Sequence, residues 1–266
     1  MTTRTPNPRG PAYPGRAIQM GDTDRKTVSA IQARLNAKNC GPLEVDGDFG
    51  TKTRDAVKLF QTRTLDSGGR PLLRDGVVGA LTWQALFGQG SVPSSHRPEA
   101  PLLRKVLKVA ASQLHVREVP PDSNRGPEVD AYLRAAGLDP EGQNYSWCAA
   151  FVYWCFEQAA GRGSNPLYRT AGVLRHWREA GRRGTRRITA KEAQQNPGLI
   201  RPGFIFIIDS GGGKGHTGLV EAVNGGLLTT IEGNTNGEGS REGGGVHRLN
   251  YRKVADINTG YLDYST

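Results

Sequence analysis

The sequence predicts two domains of different class, an all-α module of three helices followed by an α+β domain with an antiparallel sheet. Three observations carry that reading. An Asp-Gly turn occurs twice before residue 88, each copy leading into a helical apolar stripe; Gly, Ser and Pro cluster around Val92 between Gly88 and Pro101; and beyond Pro101 helical spacing gives way to short, strand-like alternating runs. At 266 residues the chain exceeds a typical single domain. The boundaries fall at residues 1–16 as a disordered leader, 17–88 as the helical module, 89–101 as linker and 102–266 as the α+β domain. The leader is assigned on composition: Met1 to Arg16 is rich in Pro, Gly and Arg and holds little apolar surface to offset the entropy of ordering.

In the helical module the first helix carries Val28, Ile31 and Leu35 on one face. The stretch Asp46-Gly47-Asp48-Phe49-Gly50-Thr51-Lys52-Thr53 is then echoed by Asp75-Gly76-Val77-Val78-Gly79-Ala80-Leu81-Thr82. Ala56, Val57 and Phe60 mark the stripe after the first copy, Leu81, Ala85 and Leu86 the stripe after the second, and Gly88 is placed to cap the last helix. Val45 to Gln61 resembles the peptidoglycan-binding domain type 1 family, whose mark is V-D-G-x-F-G-x-x-T-x-x-A-V-x-x-F-Q. The resemblance covers about residues 18–88 and implies a groove beside these turns that holds wall glycan or stem peptide, through side chains it does not specify.

The second domain opens with an amphipathic helix from Leu102 to Leu114, a polar loop from Val119 to Pro127, and a helix from Val129 to Ala136 that ends at Gly137. Ser146 opens the next helix as its N-cap. After a basic stretch come strands at Phe204 to Ile208, His216 to Val223, Leu227 to Glu232, Val246 to Leu249 and Thr259 to Tyr264.

Two segments carry chemistry. Ser146-Trp147-Cys148-Ala149-Ala150-Phe151-Val152-Tyr153-Trp154-Cys155 puts Cys148 in a first helical turn, where the dipole and unsatisfied N–H groups favour an anion and so suit a thiolate. Cys155, two turns deeper on nearly the same face, is expected in the core, which places Cys148 at the core's rim, where a nucleophile meets solvent and a base. The second segment is Gly215-His216-Thr217-Gly218-Leu219-Val220, a polar turn opening a strand. A three-residue connection at Asn224-Gly225-Gly226 pairs His216 with Asn234 and sets Glu232 diagonal to it, so that all three share one face, and a slip of one residue would put the acid on the wrong side.

W-C-A-x-F-V-x-W, G-H-x-G-x-V and I-E-G-N, in that order, resemble the CHAP family of papain-like amidases and peptidases, over about residues 103–264. The resemblance implies a papain-like fold with Cys148 as nucleophile, His216 as general base and acid, Glu232 as the group orienting the imidazole, and Asn234 as a further polar member. It also places Asn124, Arg125 and Trp147 near the substrate cleft. No acidic cluster resembles the calcium loop of some relatives, so neither metal nor cofactor is expected.

A net charge of +10 and a pI near 9.8 imply attraction to a polyanion: nucleic acid, anionic lipid or an envelope polymer. The segment 169–191, with Arg169, Arg175, Arg178, Arg182, Arg183, Arg186, Arg187 and Lys191, reads either as a solvated helix face and loop or as a patch for lipid or polysaccharide phosphate. No nucleic-acid motif accompanies the charge, so nucleic acid is not an expected partner. Three cysteines without metal-site spacing suggest neither a disulfide framework nor a zinc site. The N-terminus lacks the apolar core of a secretory signal, and the run Ala149 to Phe156 is too short to cross a bilayer, so the expectation is a monomer made in the cytoplasm and released or delivered to the wall.

The order of modules resembles phage endolysins acting on Gram-negative hosts, and a secreted antibacterial effector would share it. The expected activity is cleavage of a wall amide, with N-acetylmuramoyl-L-alanine amidase as the first reading and stem-peptide or cross-bridge endopeptidase as the alternative. A non-catalytic wall-binding or virion-structural protein that keeps the fold is the rival from another class.

Overall fold

The computed structural model describes residues 10–238 and 243–266. They divide into two compact units, the first reaching Ser94 and including the short segments Gln194–Gly198 and Asn224–Gly226, the second holding the rest.

In the first unit, α1 (Arg25–Ala37) starts on Asp24, whose carboxylate accepts from Thr27 N at 3.1 Å, and buries Val28, Ile31 and Leu35. Helix α2 (Thr51–Arg63) buries Ala56, Val57 and Phe60, and α3 (Ala80–Phe87) buries Trp83 and Leu86 before Gly88 closes it in a left-handed conformation. The sequence echo is a repeat in atomic detail. Gln32 Nε2 donates to Asp46 Oδ1 (2.7 Å), Asp48 O (3.0 Å) and Thr53 Oγ1 (3.1 Å), while its Oε1 accepts from Gly47 N at 2.9 Å. One repeat later Gln61 Nε2 donates to Asp75 Oδ1 (2.8 Å), Val77 O (3.0 Å) and Thr82 Oγ1 (3.3 Å), and Oε1 accepts from Gly76 N at 2.9 Å. Each Asp-Gly turn is thus tied to the helix before it and the helix after it by one buried amide, which gives up water only because its donors and acceptor are satisfied.

Two expected boundaries shift. Residues 10–16, placed in a disordered leader, pack on the unit: Tyr13 is buried against Trp83 with ring centroids 5.8 Å apart, Tyr13 N donates to Ser91 O at 2.7 Å, and Trp83 Nε1 donates to Pro11 O at 3.1 Å. Composition undervalued one aromatic anchor, which offsets the ordering of several polar neighbours; residues 1–9 lie outside the described residues. The expected linker likewise begins later, because Ser91 and Val92 are buried in the first unit.

The second unit is built around α6 (Cys148–Ala160). Cys148 through Tyr153, then Cys155 and Phe156, are all buried, and a helix apolar on every side must lie inside its domain. It packs on α4 (Pro101–Ser112) and α5 (Pro127–Ala135), each begun by a proline at its first turn, and on the sheet. The further elements are β1 (Ser94–Ser95), α7 (Val173–Arg182), β2 (Arg186–Thr189), α8 (Ala190–Gln195), β3 (Ile205–Gly211), β4 (Lys214–Asn224), β5 (Leu227–Thr235), β6 (Gly245–Lys253) and β7 (Gly260–Asp263). Along the main path the sheet order is β2-β7-β3-β4-β5-β6. Helices come first and an antiparallel sheet follows, with Ile208 opposite His216 on β3 and β4, and Leu228 opposite Arg252 on β5 and β6.

Two local expectations are corrected. Trp147, not Ser146, is the N-cap of α6, which makes Cys148 its first residue. Between β4 and β5 lie Gly225 and Gly226, both with positive φ. Strand β2 falls inside the basic stretch, where only Ile188 of Arg186–Thr189 turns inward and leaves too little alternation to read.

Candidate active site

Helix α6 and strands β4 and β5 bring the three principal residues together because two glycines let backbones approach. A Cβ on Gly233 would lie 2.7 Å from Trp147 Cζ3 and 2.8 Å from Phe151 Cβ, so only glycine lets β5 pass this close to the start of α6. A Cβ on Gly218 would lie 2.8 Å from Glu232 Cγ and 2.9 Å from Phe206 Cε1, in the space the carboxylate occupies. These contacts give the I-E-G-N and G-H-x-G patterns a steric reason. Asn234, next to Gly233, adopts a left-handed φ of 56° and is 1% exposed.

His216 Nε2 lies 2.7 Å from Glu232 Oε2, so the two side chains share a face as expected. Nδ1 is buried without a hydrogen-bond partner among the described residues, and the Cys148 thiol is near enough to act on the ring. Burial pulls the imidazole pKa down, but hydrogen bonds and opposite charge from Cys148 and Glu232 outweigh it and raise the value to about 9. Burial pushes the Glu232 carboxyl up, yet His216 and Arg252 together bring it down to about 2. At neutral pH the imidazolium is held against the Glu232 carboxylate.

Glu232 has partners the sequence did not announce. Arg252 Nε donates to Oε1 and Nη2 to Oε2, both at 2.7 Å, and the Thr230 hydroxyl also donates to Oε1. Glu118, a further residue the sequence did not announce, is buried under the start of α6, where its Oε1 accepts from Trp147 Nε1 at 2.8 Å. Its backbone N donates to Gly244 O at 2.7 Å, fixing the segment to the lead-in of β6. No motif flagged Glu118, Thr230 or Arg252; Glu118 and Arg252 act through contacts distant in sequence, while Thr230 sits two residues before Glu232 on the same strand.

The remaining candidates fare differently. Trp147 is fully buried, packed against Tyr132 and hydrogen-bonded to Glu118, so its ring has no free face for a substrate and instead anchors the start of α6. Arg125 is occupied: its Nε donates to Asp130 Oδ1 at 2.9 Å, and Nη2 reaches Asp130 and Glu141. Asn124, half-buried with a positive φ of 54°, donates to Asn144 Oδ1 at 2.6 Å. Arg125 and Asn124 therefore tie the 119–126 loop to the segment before α6. The rim position expected for Cys148 is also corrected: thiol and imidazole meet, but each residue is only 3% exposed. Cys155 is wholly buried, which pushes its thiol well above the ordinary range.

Among the described residues no helix is long and apolar enough to cross a membrane. Residues 24–86 match the peptidoglycan binding domain family, and residues 140–234 match the CHAP domain family. An uncharacterized protein in the bpoA1 3'region of Kitasatospora aureofaciens is 44% identical over 72 residues, which are 26% of this chain and 55% of that protein. The chain thus spans about half the length of the curated relative it matches. No solved structure matches. The CHAP match ends at residue 234, so Arg252 lies beyond it. The chain thus matches, in this order, the peptidoglycan binding domain family and the CHAP domain family.

Proposed function

We propose that the chain hydrolyses an amide bond of bacterial peptidoglycan with Cys148 as nucleophile, as an N-acetylmuramoyl-L-alanine amidase on a papain-like domain. The observation that carries this is the buried line from the thiol through His216 to Glu232, in which imidazole Nε2 is committed to the carboxylate at 2.7 Å and the Cys148 thiol acts on the same ring. The thiolate adds to the carbonyl carbon, and backbone N–H groups at the start of α6 receive the oxyanion, a donor of this kind contributing about 3 kcal/mol in studied enzymes. Collapse breaks the C–N bond as the imidazolium gives its proton to the departing amine. Water, deprotonated by the now neutral ring, then opens the thioester and restores thiolate and imidazolium.

The helical unit raises the enzyme's local concentration on the wall by tethering, with no added contact at the thiol. The exposed arginines of α7 and the segment after it attract anionic lipid or polysaccharide phosphate, and the protein acts as a monomer on the wall after release or delivery. Arg169 is outside that role, because its guanidinium donates to Ala135 O (2.8 Å) and Arg134 O (3.0 Å) at the end of α5.

Replacing Cys148 with Ala on purified peptidoglycan should cut clearance on the order of 10^4-fold or more while the protein still pellets with the wall. Equal clearance by wild type and C148A would sink the reading. Mass spectrometry of the digest decides the bond: a free lactyl group and a new L-alanine amine mark the amidase, whereas split cross-bridges would replace that assignment with an endopeptidase.

A further inference from the structure

Glu232 is gripped from two sides. His216 Nε2 meets Oε2, and on the opposite flank the Arg252 guanidinium spans both carboxylate oxygens in a two-point fork at 2.7 Å each. The Arg252 side chain is only 10% exposed, and its guanidinium carbon sits 5.2 Å over the Phe206 ring, the ring that also tilts against His216 at a centroid distance of 5.9 Å. Phe206 thus packs beside both cations. A planar guanidinium matched to a carboxylate fixes orientation as well as charge, and it stays protonated at any pH the protein meets.

One buried carboxylate, Glu232, thus lies between two cationic partners, the His216 ring and the Arg252 guanidinium. Remove the guanidinium and Glu232 has a counter-charge only while His216 is protonated. In the proposed reaction His216 surrenders its proton to the leaving amine, and a fully buried carboxylate would then face a neutral ring. An uncompensated buried carboxylate takes up a proton, and a protonated Glu232 no longer favours the tautomer that activates water.

The geometry points to Arg252 as a positioning residue that keeps Glu232 ionised and aimed at His216 Nε2 during the half of the cycle in which the ring is neutral. This rests on Cys148 and His216 being the reacting pair. Arg252 acts through Glu232 alone.

Arg252→Met and Arg252→Lys test it, with two readings: the pH profile of wall clearance, and the pH titration of the His216 ring followed by NMR. In the Met variant the acid limb of clearance should move up by about 1 to 3 pH units, and the ring resonances should show an added inflexion at that pH as Glu232 protonates. The Lys variant keeps the charge and loses the fork, so both features should move the same way by less. If the Met variant does not fold, the Lys variant decides by the same readings. A folded variant whose acid limb and ring titration overlie those of wild type, even with clearance lowered equally at every pH, would show that Arg252 is only structural. Failure of the wild type to clear wall at all would remove the proposed function, while the ring titration would still report whether Arg252 governs Glu232.

Discussion

Cys148 and Cys155 stand two turns apart on one helix in different surroundings. Cys155 lies in the core, where burial alone holds the thiol protonated, whereas Cys148 meets an imidazole whose other nitrogen is bound to a carboxylate. Spacing placed Cys155 in the core, and alternation along two neighbouring strands put His216 and Glu232 on one face, but spacing also set Cys148 at the rim, where the structure buries it. Arg252 and Glu118 were not legible: their partners are 20 and 29 positions away, and the alternation of a strand does not say which charge will be buried. The same site sets a pH dependence of stability. Glu232 titrates lower folded than unfolded, so its contribution is present above about 4.5 and is lost as pH falls toward about 2. His216 titrates higher folded, so its contribution is full below about 6.5 and is lost as pH rises through about 9. His176, buried with Nε2 3.0 Å from the Tyr264 hydroxyl, has its pKa lowered by burial to about 4, and the unfolded chain gains protons over the folded one as pH drops below 6.5. Together these groups place maximum stability near pH 6.5, with decline on both sides. Urea unfolding of wild type and His216→Gln across pH 4 to 9 checks this, and an alkaline decline that persists unchanged in the variant would contradict the assignment to His216.

At the scale of elements, the duplicated turn shows what sequence can and cannot convey. The Asp-Gly signature and the apolar stripes located both turns and helices α1, α2 and α3. The reason the turns are rigid is hidden, because Gln32 and Gln61 read as ordinary polar helix positions until their amides are seen bridging turn and helix. Period-two patterning likewise found five strands in the second unit but not β2, which has one inward residue. Gln61→Leu removes three donated bonds and one accepted bond from a buried amide and leaves Gly76 N without its partner. The expected cost is about 2–4 kcal/mol, since an unsatisfied buried group loses its full solvation. It should appear as a lower urea midpoint, with faster amide exchange in α2 and α3 and unchanged exchange in α6. Exchange that accelerates equally in α6 would mean the amide does not act within its own repeat.

For the whole molecule, the excess of +10 charges is not spread as paired ions alone. In the second unit Arg175 and Arg183 both lie over the single Tyr168 ring, at 5.2 and 5.0 Å, and Arg187 lies 5.0 Å over Trp177, while Arg182 and Arg186 face the carboxylates of Glu179 and Asp263. Aromatic rings hold the exposed guanidinium groups outward without neutralising them, which leaves the charge available to an anionic surface. Each such arginine near an anionic bilayer contributes about 1 kcal/mol, so Arg178, Arg183 and Arg187 changed together to Gln should weaken retention on phosphatidylglycerol vesicles by roughly 100-fold at low salt. The wild-type interaction should itself fade as ionic strength rises and the Debye length shortens to about 8 Å near physiological salt. Clearance of purified peptidoglycan by the triple variant should stay near wild type, because Arg178, Arg183 and Arg187 are exposed whereas Cys148 and His216 are buried. Vesicle retention that ignores both salt and the triple change would assign these arginines to a solvated face and leave wall affinity to the helical unit.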